Sequence, residues 1–232
     1  NMYRKNLRAK RQAVQKLENN KMLIDFSDTS LETKYRLLTS AVVPRPIAWV
    51  STKDKNGRDN LAPFSFFNVV STDPPILVFA PGPKLINKDG QSRLAKKDTL
   101  SNIEETGEFV VNIVSYDLAQ KMNQTAAEYP ADVSEFEAAA LTAVPSSMVR
   151  PLRVKESPIN LECKLHQLID FGQNAGTGKL ILGQILCIHI DDDVLVNGRI
   201  DPTKLDAVGR LGANFYTSTR DLFSIVRPSI TE

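Results

Sequence analysis

The sequence predicts a mainly β fold of the barrel type, and three observations carry that prediction. Two apolar runs, 47–52 and 61–71, flank an Asn56-Gly57 pair that is typical of a β-hairpin turn. A longer pair of runs, 159–171 and 180–190, predicts a long antiparallel hairpin, which is expected of a barrel and not of a βαβ sheet. The chain of 232 residues can bury one substantial core, and barrels of this length are often a single domain.

Composition excludes several functional classes. A hydrophobic content of 42% and a charged content of 24% are typical of a soluble globular protein. The net charge of +2 is too small to indicate binding to nucleic acid or to an anionic membrane. No run approaches the roughly 18 apolar residues of a membrane-spanning helix, and the N-terminus lacks the apolar core of a signal peptide. Two cysteines make no disulfide framework, so we expect a cytoplasmic protein.

We expect the N-terminal residues 1–38 to form a basic arm or helix and a lead-in, and residues 39–232 to form one domain. Within 2–22 the basic residues are Arg4, Lys5, Arg8, Lys10, Arg11, Lys16 and Lys21. Tyr3, Leu7, Val14 and Leu17 recur there at near-helical spacing. Such a helix could dock on a membrane or a nucleic acid, or pack on its own barrel or a partner subunit. The apolar stripe is thin and lacks Trp and Phe, which favours packing.

The middle of the chain alternates short strands with short helices, bounded by proline, glycine and capping residues. We expect a strand at 76–80 that Pro81, Gly82 and Pro83 end, and then a helix capped by Asp98 or Thr99 and closed by Gly107. A strand at 109–115 follows. A helix capped by Asp117 then runs to about Thr125, and a short helix lies near 134–140.

The two strands of the long hairpin differ in pattern. Apolar and polar residues alternate through 159–171, whereas 180–190 is apolar on both faces. The second strand is therefore expected to be buried on both sides, in a barrel wall or at an interface. A register symmetric about Ala175 would place Cys187 opposite Cys163.

The start of the helix that ends near Gly107 carries the parts of a phosphate site. Lys97 supplies positive charge, while the Thr99 hydroxyl and the first-turn amides supply donors. An ordinary capped helix with solvated lysines explains the same residues, and the segment alone favours that simpler interpretation. No G-x-G-x-x-G unit, P-loop or H-E-x-x-H motif is present, so we expect neither a Rossmann unit nor a metal site.

Three sequence runs resemble those of the flavin reductase-like family in order and spacing. They are PRPIAWVST at 44–52, APFSFFN at 62–68 and DPP at 73–75, and the resemblance extends over about 39–228. It implies a Greek-key FMN-binding split β-barrel with a few peripheral helices, assembled as a homodimer. FMN is the implied cofactor, with NADH or NADPH as the reductant.

The resemblance also implies which residues line the flavin pocket. Those residues are Arg45, Trp49, Ser51, Thr52, Ala62, Pro63, Phe64, Ser65, Asn68, Lys97, Asp98 and Thr99. Arg45 would pair with phosphate or with the flavin pyrimidine edge, whereas Trp49 and Phe64 are equally compatible with the core. In the segment 209–216, Arg210, Gly212 and Tyr216 would lie near the substrate, although Tyr216 also fits a core position.

The implied function is NAD(P)H-dependent flavin reduction, with a hydride passed to flavin N5. The flavin supplies this chemistry, so no side-chain acid or base is assigned as catalytic. Reduced FMN would then leave for a flavin-dependent monooxygenase, or would reduce an acceptor while still bound to the protein. The alternatives are a non-enzymatic FMN-binding protein for electron transfer or flavin storage, and an interaction domain that has lost flavin.

Overall fold

A seven-stranded antiparallel sheet forms the body of the chain. The computed structural model describes residues 16–17, 21–88, 91–130, 133–172 and 177–229. The strands of this sheet are β1 Ala48–Lys53, β2 Asp59–Phe64, β3 Phe67–Thr72, β4 Pro75–Phe79, β5 Glu108–Ile113, β6 Ile159–Asp170 and β7 Lys179–Ile190.

The order of the strands makes the sheet a split barrel. The order is β2-β1-β5-β6-β7-β4-β3, so the consecutive strands β2 and β3 lie at opposite edges. The expected single strand at 61–71 is wrong, because the chain leaves one edge after Phe64 and enters the other at Phe67. The two edges are not hydrogen-bonded to each other as a ladder, so the barrel stays open. The predicted mainly β class is confirmed.

Alternation along β1 separates two apolar layers. Ala48 and Val50 face a core inside the curled sheet, where the Phe64 and Phe79 rings lie 5.4 Å apart. Trp49 faces an outer cluster that also contains residues of the peripheral helices.

One position in the barrel wall requires glycine. A Cβ at Gly183 on β7 would lie 2.3 Å from Cζ of Phe109, whose side chain is fully buried. Glycine therefore lets the β7 backbone approach this ring closely.

In the described residues, five short helices surround the sheet: α1 Leu31–Ala41, α2 Asp98–Thr106, α3 Ala119–Gln124, α4 Glu135–Ala138 and α5 Pro202–Leu205. Turns of 3-10 helix lie at Phe26–Asp28, Tyr116–Leu118 and Asp192–Val194. Among the helices that the structure describes, none is both long enough and apolar enough to span a membrane.

The helix ends agree only partly with the predictions. Gly107 closes α2 in the left-handed conformation at φ 70°, as predicted. The predicted cap at Asp98 or Thr99 is wrong, because Lys97 is the N-cap and makes no side-chain capping bond. Asp117 does not cap α3 either, since it lies inside the preceding 3-10 turn.

The β6–β7 hairpin is shifted from its predicted register. Glu162 pairs with Cys187, and Cys163 pairs with Ile185, so the expected pairing of the two cysteines is wrong. An offset of one residue is present already beside the turn, where Asp170 pairs with Lys179. Bulges between residues 165 and 167 and between 162 and 163 move the pairs that lie between them by one further residue. Within one chain β7 is also not covered on both faces, since Ile188 is 47% exposed.

Shorter strand pairs complete the fold. They are Lys16–Leu17 with Lys21–Met22, Lys84–Lys88 with Gln91–Ala95, Ala143–Val144 with Arg153–Val154, and Leu195–Val196 with Arg199–Ile200. A three-stranded sheet joins Arg45–Pro46, Val208–Arg210 and Tyr216–Ser218.

The predicted N-terminal helix falls largely outside the described residues. Its described parts, 16–17 and 21–22, pair as strands, so a helix through 22 is wrong there. The expected boundary between residues 38 and 39 falls inside α1.

Candidate functional site

A cavity of about 320 Å³ opens where the first sequence run meets the C-terminal segment. This volume is at the lower end of the range for small-molecule sites. Its wall is formed by Tyr35, Thr39, Arg45, Ile47, Pro63, Phe64, Ser65, Met122, Ala126, Arg210, Leu211, Ala213 and Tyr216.

Segments distant in sequence are brought to the cavity by the small three-stranded sheet. Arg210 pairs with Arg45 in this sheet, and Tyr216 pairs with Arg210 on its other side. The corner between β2 and β3 adds Pro63 and Ser65. The structure therefore unites six of the predicted residues at one site: Arg45, Pro63, Phe64, Ser65, Arg210 and Tyr216.

Arg45 is a buried cross-link among the segments that form the cavity. Its guanidinium donates to the carbonyl oxygens of Thr39, of Val42 at 2.7 Å and of Leu211 at 3.0 Å. Its Nε also donates to Ser65 Oγ at 3.4 Å. Four of the five N–H groups of an arginine are thereby engaged. Arg45 fixes the end of α1, the 211–213 loop and the β2–β3 corner relative to one another.

Arg210 and Tyr216 form a second unit in the cavity wall. The Arg210 guanidinium lies 4.5 Å from the centre of the Tyr216 ring and donates to its hydroxyl. It also donates to the Ala213 carbonyl oxygen at 2.5 Å. The Tyr216 hydroxyl in turn donates to Asn123 Oδ1 at 3.3 Å. Arg210 thus occupies one face of the Tyr216 ring, so a ligand that stacks on this ring would have to use the other face.

The cavity is electropositive. Arg45 and Arg210 both line it, and the part of the wall that the structure describes includes no carboxylate. Burial lowers the pKa of Arg45, and the charge of Arg210 acts in the same direction. An arginine still remains protonated at neutral pH. Two cations together with apolar side chains such as Ile47 and Met122 fit a ligand that carries both an apolar part and negative charge.

A tight backbone contact supports the loop beside the cavity. A Cβ at Gly212 would lie 3.2 Å from Cα and 2.3 Å from Oγ of Ser40. Glycine therefore allows the 211–213 loop to pack against the end of α1. Gly212 itself does not line the cavity, although its neighbours Leu211 and Ala213 do.

The predicted phosphate segment lies elsewhere, beside a buried polar network. Thr52 Oγ1 accepts from Asn60 Nδ2 at 3.3 Å and from Asn102 Nδ2 at 3.0 Å. Asn60 Nδ2 also donates to Thr99 Oγ1 at 2.9 Å. All four side chains are buried. The Thr52 and Thr99 hydroxyls thus join β1 and β2 to the start of α2.

The surface next to this network is acidic. The charged side chains that line a small pocket of about 70 Å³ there are those of Asp54, Asp59, Asp98, Glu135 and Arg58. Asp98 pairs with Lys84 at 2.9 Å, and burial raises the pKa of Glu135. Asp54 also pairs with Arg58 at 2.7 Å and Asp59 with Lys53 at 2.6 Å, so cations offset part of the negative charge. The remaining excess of carboxylates in the pocket disfavours a phosphate dianion. Asn60 and Phe64 lie four residues apart on β2, so the two regions are separated by about 13 Å along the strand.

The other predicted residues lie away from the cavity. Trp49 is fully buried and donates from Nε1 to Thr125 Oγ1 at 2.8 Å. Ser51 is also fully buried and donates to the Leu152 carbonyl oxygen at 2.5 Å. Ala62 packs against the inner core. Asn68 is exposed, and Lys97 is half-buried at the start of α2.

Sequence reasoning missed the contributions of α1 and α3 to the cavity. Tyr35 and Thr39 come from α1, while Met122 comes from α3. A signal for α1 was present, because Ser30 caps the helix and accepts from the Thr33 amide. No comparable local signal connects α3 to this cavity.

Comparisons with known proteins agree with the fold. A family model described as flavin reductase like domain matches residues 40–204. Nitrilotriacetate monooxygenase component B from Bacillus cereus is 32% identical, with a TM-score of 0.80, over 90% of this chain and 100% of that chain. The 2-nitrobenzoate 2-nitroreductase of Pseudomonas fluorescens is 31% identical, with a TM-score of 0.78, over 90% and 98%. A flavin reductase with a split barrel domain from Shewanella frigidimarina is 25% identical, with a TM-score of 0.70, over 87% and 96%.

Proposed function

The chain belongs to the flavin reductase like family of flavin-related oxidoreductases, and from that premise we propose that it is an NAD(P)H-dependent flavin reductase. The observation that carries the proposal is the electropositive cavity between Arg45 and Arg210. Its wall unites the first two sequence runs of the family with the C-terminal segment. The redox chemistry, acceptance of a hydride from NAD(P)H, would be supplied by FMN when bound.

Different residues of the cavity are proposed to bind different parts of FMN. Arg210 is the proposed direct partner for negative charge, because most donors of Arg45 are already engaged. Ser65 offers a hydroxyl, and Pro63 with Phe64 offers an apolar wall for the ring. Positive charge at this wall would also stabilise the negative charge that develops on reduction.

The phosphate of FMN could bind at either of two regions, the start of α2 or the arginine cavity. The sequence pattern places it at Lys97 and Thr99, where four carboxylates and Arg58 line the adjacent pocket. No carboxylate is among the described residues in the wall of the arginine cavity. Electrostatics therefore favour the cavity for the charged end of the ligand.

Aerobic oxidation of NADH and NADPH, with and without added FMN, tests the proposed activity. Reduced flavin reacts with oxygen, so a reductase should oxidise at least one nicotinamide over many turnovers when FMN is present. Tight binding of FMN without oxidation of either nicotinamide would contradict the proposal and favour an electron-transfer or storage protein.

Two acceptors are compatible with the relatives. The similarity to nitrilotriacetate monooxygenase component B supports transfer of reduced FMN to a flavin-dependent monooxygenase. The nearly equal similarity to a 2-nitrobenzoate 2-nitroreductase supports reduction of a small acceptor by the holoprotein. A cavity that combines two arginines with apolar side chains also suits an aromatic carboxylate. Flavin-dependent consumption of 2-nitrobenzoate without oxygen would favour the second acceptor.

A homodimer is part of the proposal. Leu31, Tyr35 and Leu38 form an apolar stripe on α1 and are 50%, 64% and 48% exposed. A stripe of this kind favours contact with another surface, and Tyr35 also lines the cavity. A second copy covering the stripe would therefore help to enclose the cavity. Light scattering that gives the 25.8 kDa mass of one chain at micromolar concentration would contradict the dimer.

A further inference from the structure

Three side chains with metal-binding atoms converge on one face of the β6–β7 hairpin. Glu162 of β6 lies opposite Cys187 of β7, and His189 follows on the same face two residues later. Glu162 is fully buried, while Cys187 and His189 are half-buried. One ligand atom of each lies within 4.8 Å of those of the other two. None of the three lines the cavity described above.

The arrangement is convergent and is not a catalytic relay. His189 Nε2 lies 2.6 Å from Glu162 Oε1, and the same nitrogen lies 3.9 Å from Cys187 Sγ. A relay that activates a nucleophile needs the cysteine at one ring nitrogen and the carboxylate at the other. Here the sulfur, the nitrogen and the oxygen surround a common point, as the ligands of a metal ion do.

We propose that Glu162, Cys187 and His189 bind a divalent metal ion of the zinc class. Thiolate, imidazole and carboxylate are its preferred protein ligands, and three such ligands leave a fourth position for water. Tetrahedral coordination at normal bond lengths places the sulfur and nitrogen about 3.5 Å apart and the nitrogen and oxygen about 3.4 Å apart. Starting from 3.9 Å and 2.6 Å, each distance changes by less than about 1 Å.

Neighbouring groups hold the carboxylate in place for this role. The Ser147 and Met148 amides donate to Glu162 Oε1 and Oε2 at 2.7 and 2.6 Å. Arg153 Nε lies 4.0 Å from Oε1 and would offset part of the negative charge of a thiolate and a carboxylate. Such supporting contacts are typical of metal sites, because they fix the orientation of each ligand. Binding would release the Cys187 thiol proton to solvent.

The test uses the full chain, free of any affinity tag and treated with a chelator, with Co²⁺ as the probe. A difference spectrum against the metal-free protein removes the absorption of any bound flavin. We expect a thiolate-to-cobalt charge-transfer band that saturates at one Co²⁺ per chain and disappears when Zn²⁺ is added.

Variants of the two half-buried ligands and of the second cysteine locate the site. Cys187→Ser should abolish the charge-transfer band, and His189→Gln should weaken Co²⁺ binding on the order of tenfold or more. Cys163→Ala is the matched control, because Cys163 is buried in the inner core and should not affect the band. Circular dichroism and FMN titration would establish that each variant is folded.

Two results would overturn the inference. One is the absence of a thiolate band at equimolar Co²⁺ in folded wild-type protein. The other is a band that survives in folded Cys187→Ser, which would assign the thiolate to another residue. Neither result bears on flavin reduction, since FMN titration and NAD(P)H oxidation report on the separate cavity.

Discussion

Replacing Arg45 by lysine separates its two possible roles, as a ligand for FMN and as a cross-link in the cavity wall. Lysine keeps the positive charge but replaces the planar fork of donors with a single ammonium group. In the structure the fork reaches carbonyl oxygens of Thr39, Val42 and Leu211, and Arg45 is only 7% exposed. One ammonium group cannot reproduce all of these contacts.

The expected loss of stability follows from the contacts. If the ammonium satisfies one of the three carbonyls, two charge-assisted hydrogen bonds are lost, at about 1.5 kcal/mol each at the low end of the usual range. Arg45→Lys should therefore lower the free energy of unfolding by about 3 kcal/mol. For a chain of this size, that corresponds to a fall in Tm of roughly 6–12 °C.

Thermal unfolding and FMN titration of the same samples test this reasoning. Arg58→Lys is the matched control, because the Arg58 side chain is 59% exposed and makes one ion pair, with Asp54, among the described residues. A lysine can keep a single ion pair from the solvent-exposed side, at a cost of no more than about 0.5 kcal/mol, so the control should melt within about 2 °C of the wild type. If Arg45→Lys melts like the control yet loses FMN affinity, Arg45 is a ligand and not a cross-link.

Three further outcomes are expected. Arg210→Gln should weaken FMN binding about tenfold, which is more than the loss expected for Lys97→Gln. If fluorescence titration shows the larger loss in Lys97→Gln, the phosphate of FMN binds at the start of α2 and not in the arginine cavity. Gly183→Ala should cost about 1–3 kcal/mol through overpacking, whereas Gly82→Ala, with no atom within 4 Å of the new Cβ, should unfold within about 0.5 kcal/mol of the wild type in urea. Burial raises the pKa of Glu135 in the folded state, so the protonated carboxyl favours folding below its unfolded pKa, and this stabilisation is lost as pH rises through the folded pKa. Glu135→Gln should remove that part of the pH dependence of the free energy of unfolding, and an unchanged pH dependence would contradict the assignment.

Local patterns predicted the elements of the fold better than their connections. The alternation in 159–171 and the glycine at 107 correctly indicated a strand and a helix end, since both signals depend on nearby residues. The register of the long hairpin was wrong by one position at the turn, where Asp170 pairs with Lys179, and by two positions between the bulges, where Cys163 pairs with Ile185. Turn geometry and bulges depend on packing that the alternation does not encode. The break of the 61–71 run reflects the crossing between sheet edges, which no single residue encodes.

The candidate site was predictable only where the family resemblance reached. That resemblance pointed to Arg45, Ser65 and Tyr216, which the structure brings together. The resemblance could not show that the guanidinium of Arg45 donates to backbone carbonyl oxygens, one of them 166 residues away in sequence. It also could not show that carboxylates distant in sequence gather beside Asp98. Such neighbourhoods arise from tertiary packing.

Anaerobic mixing of the FMN-loaded protein with one equivalent of NADH or NADPH tests the proposed activity most directly. We expect one nicotinamide to bleach the visible absorption of protein-bound FMN faster than that of free FMN, and Arg210→Gln to slow this reaction. Bleaching no faster than that of free FMN, with FMN demonstrably bound and with either nicotinamide, would contradict the account.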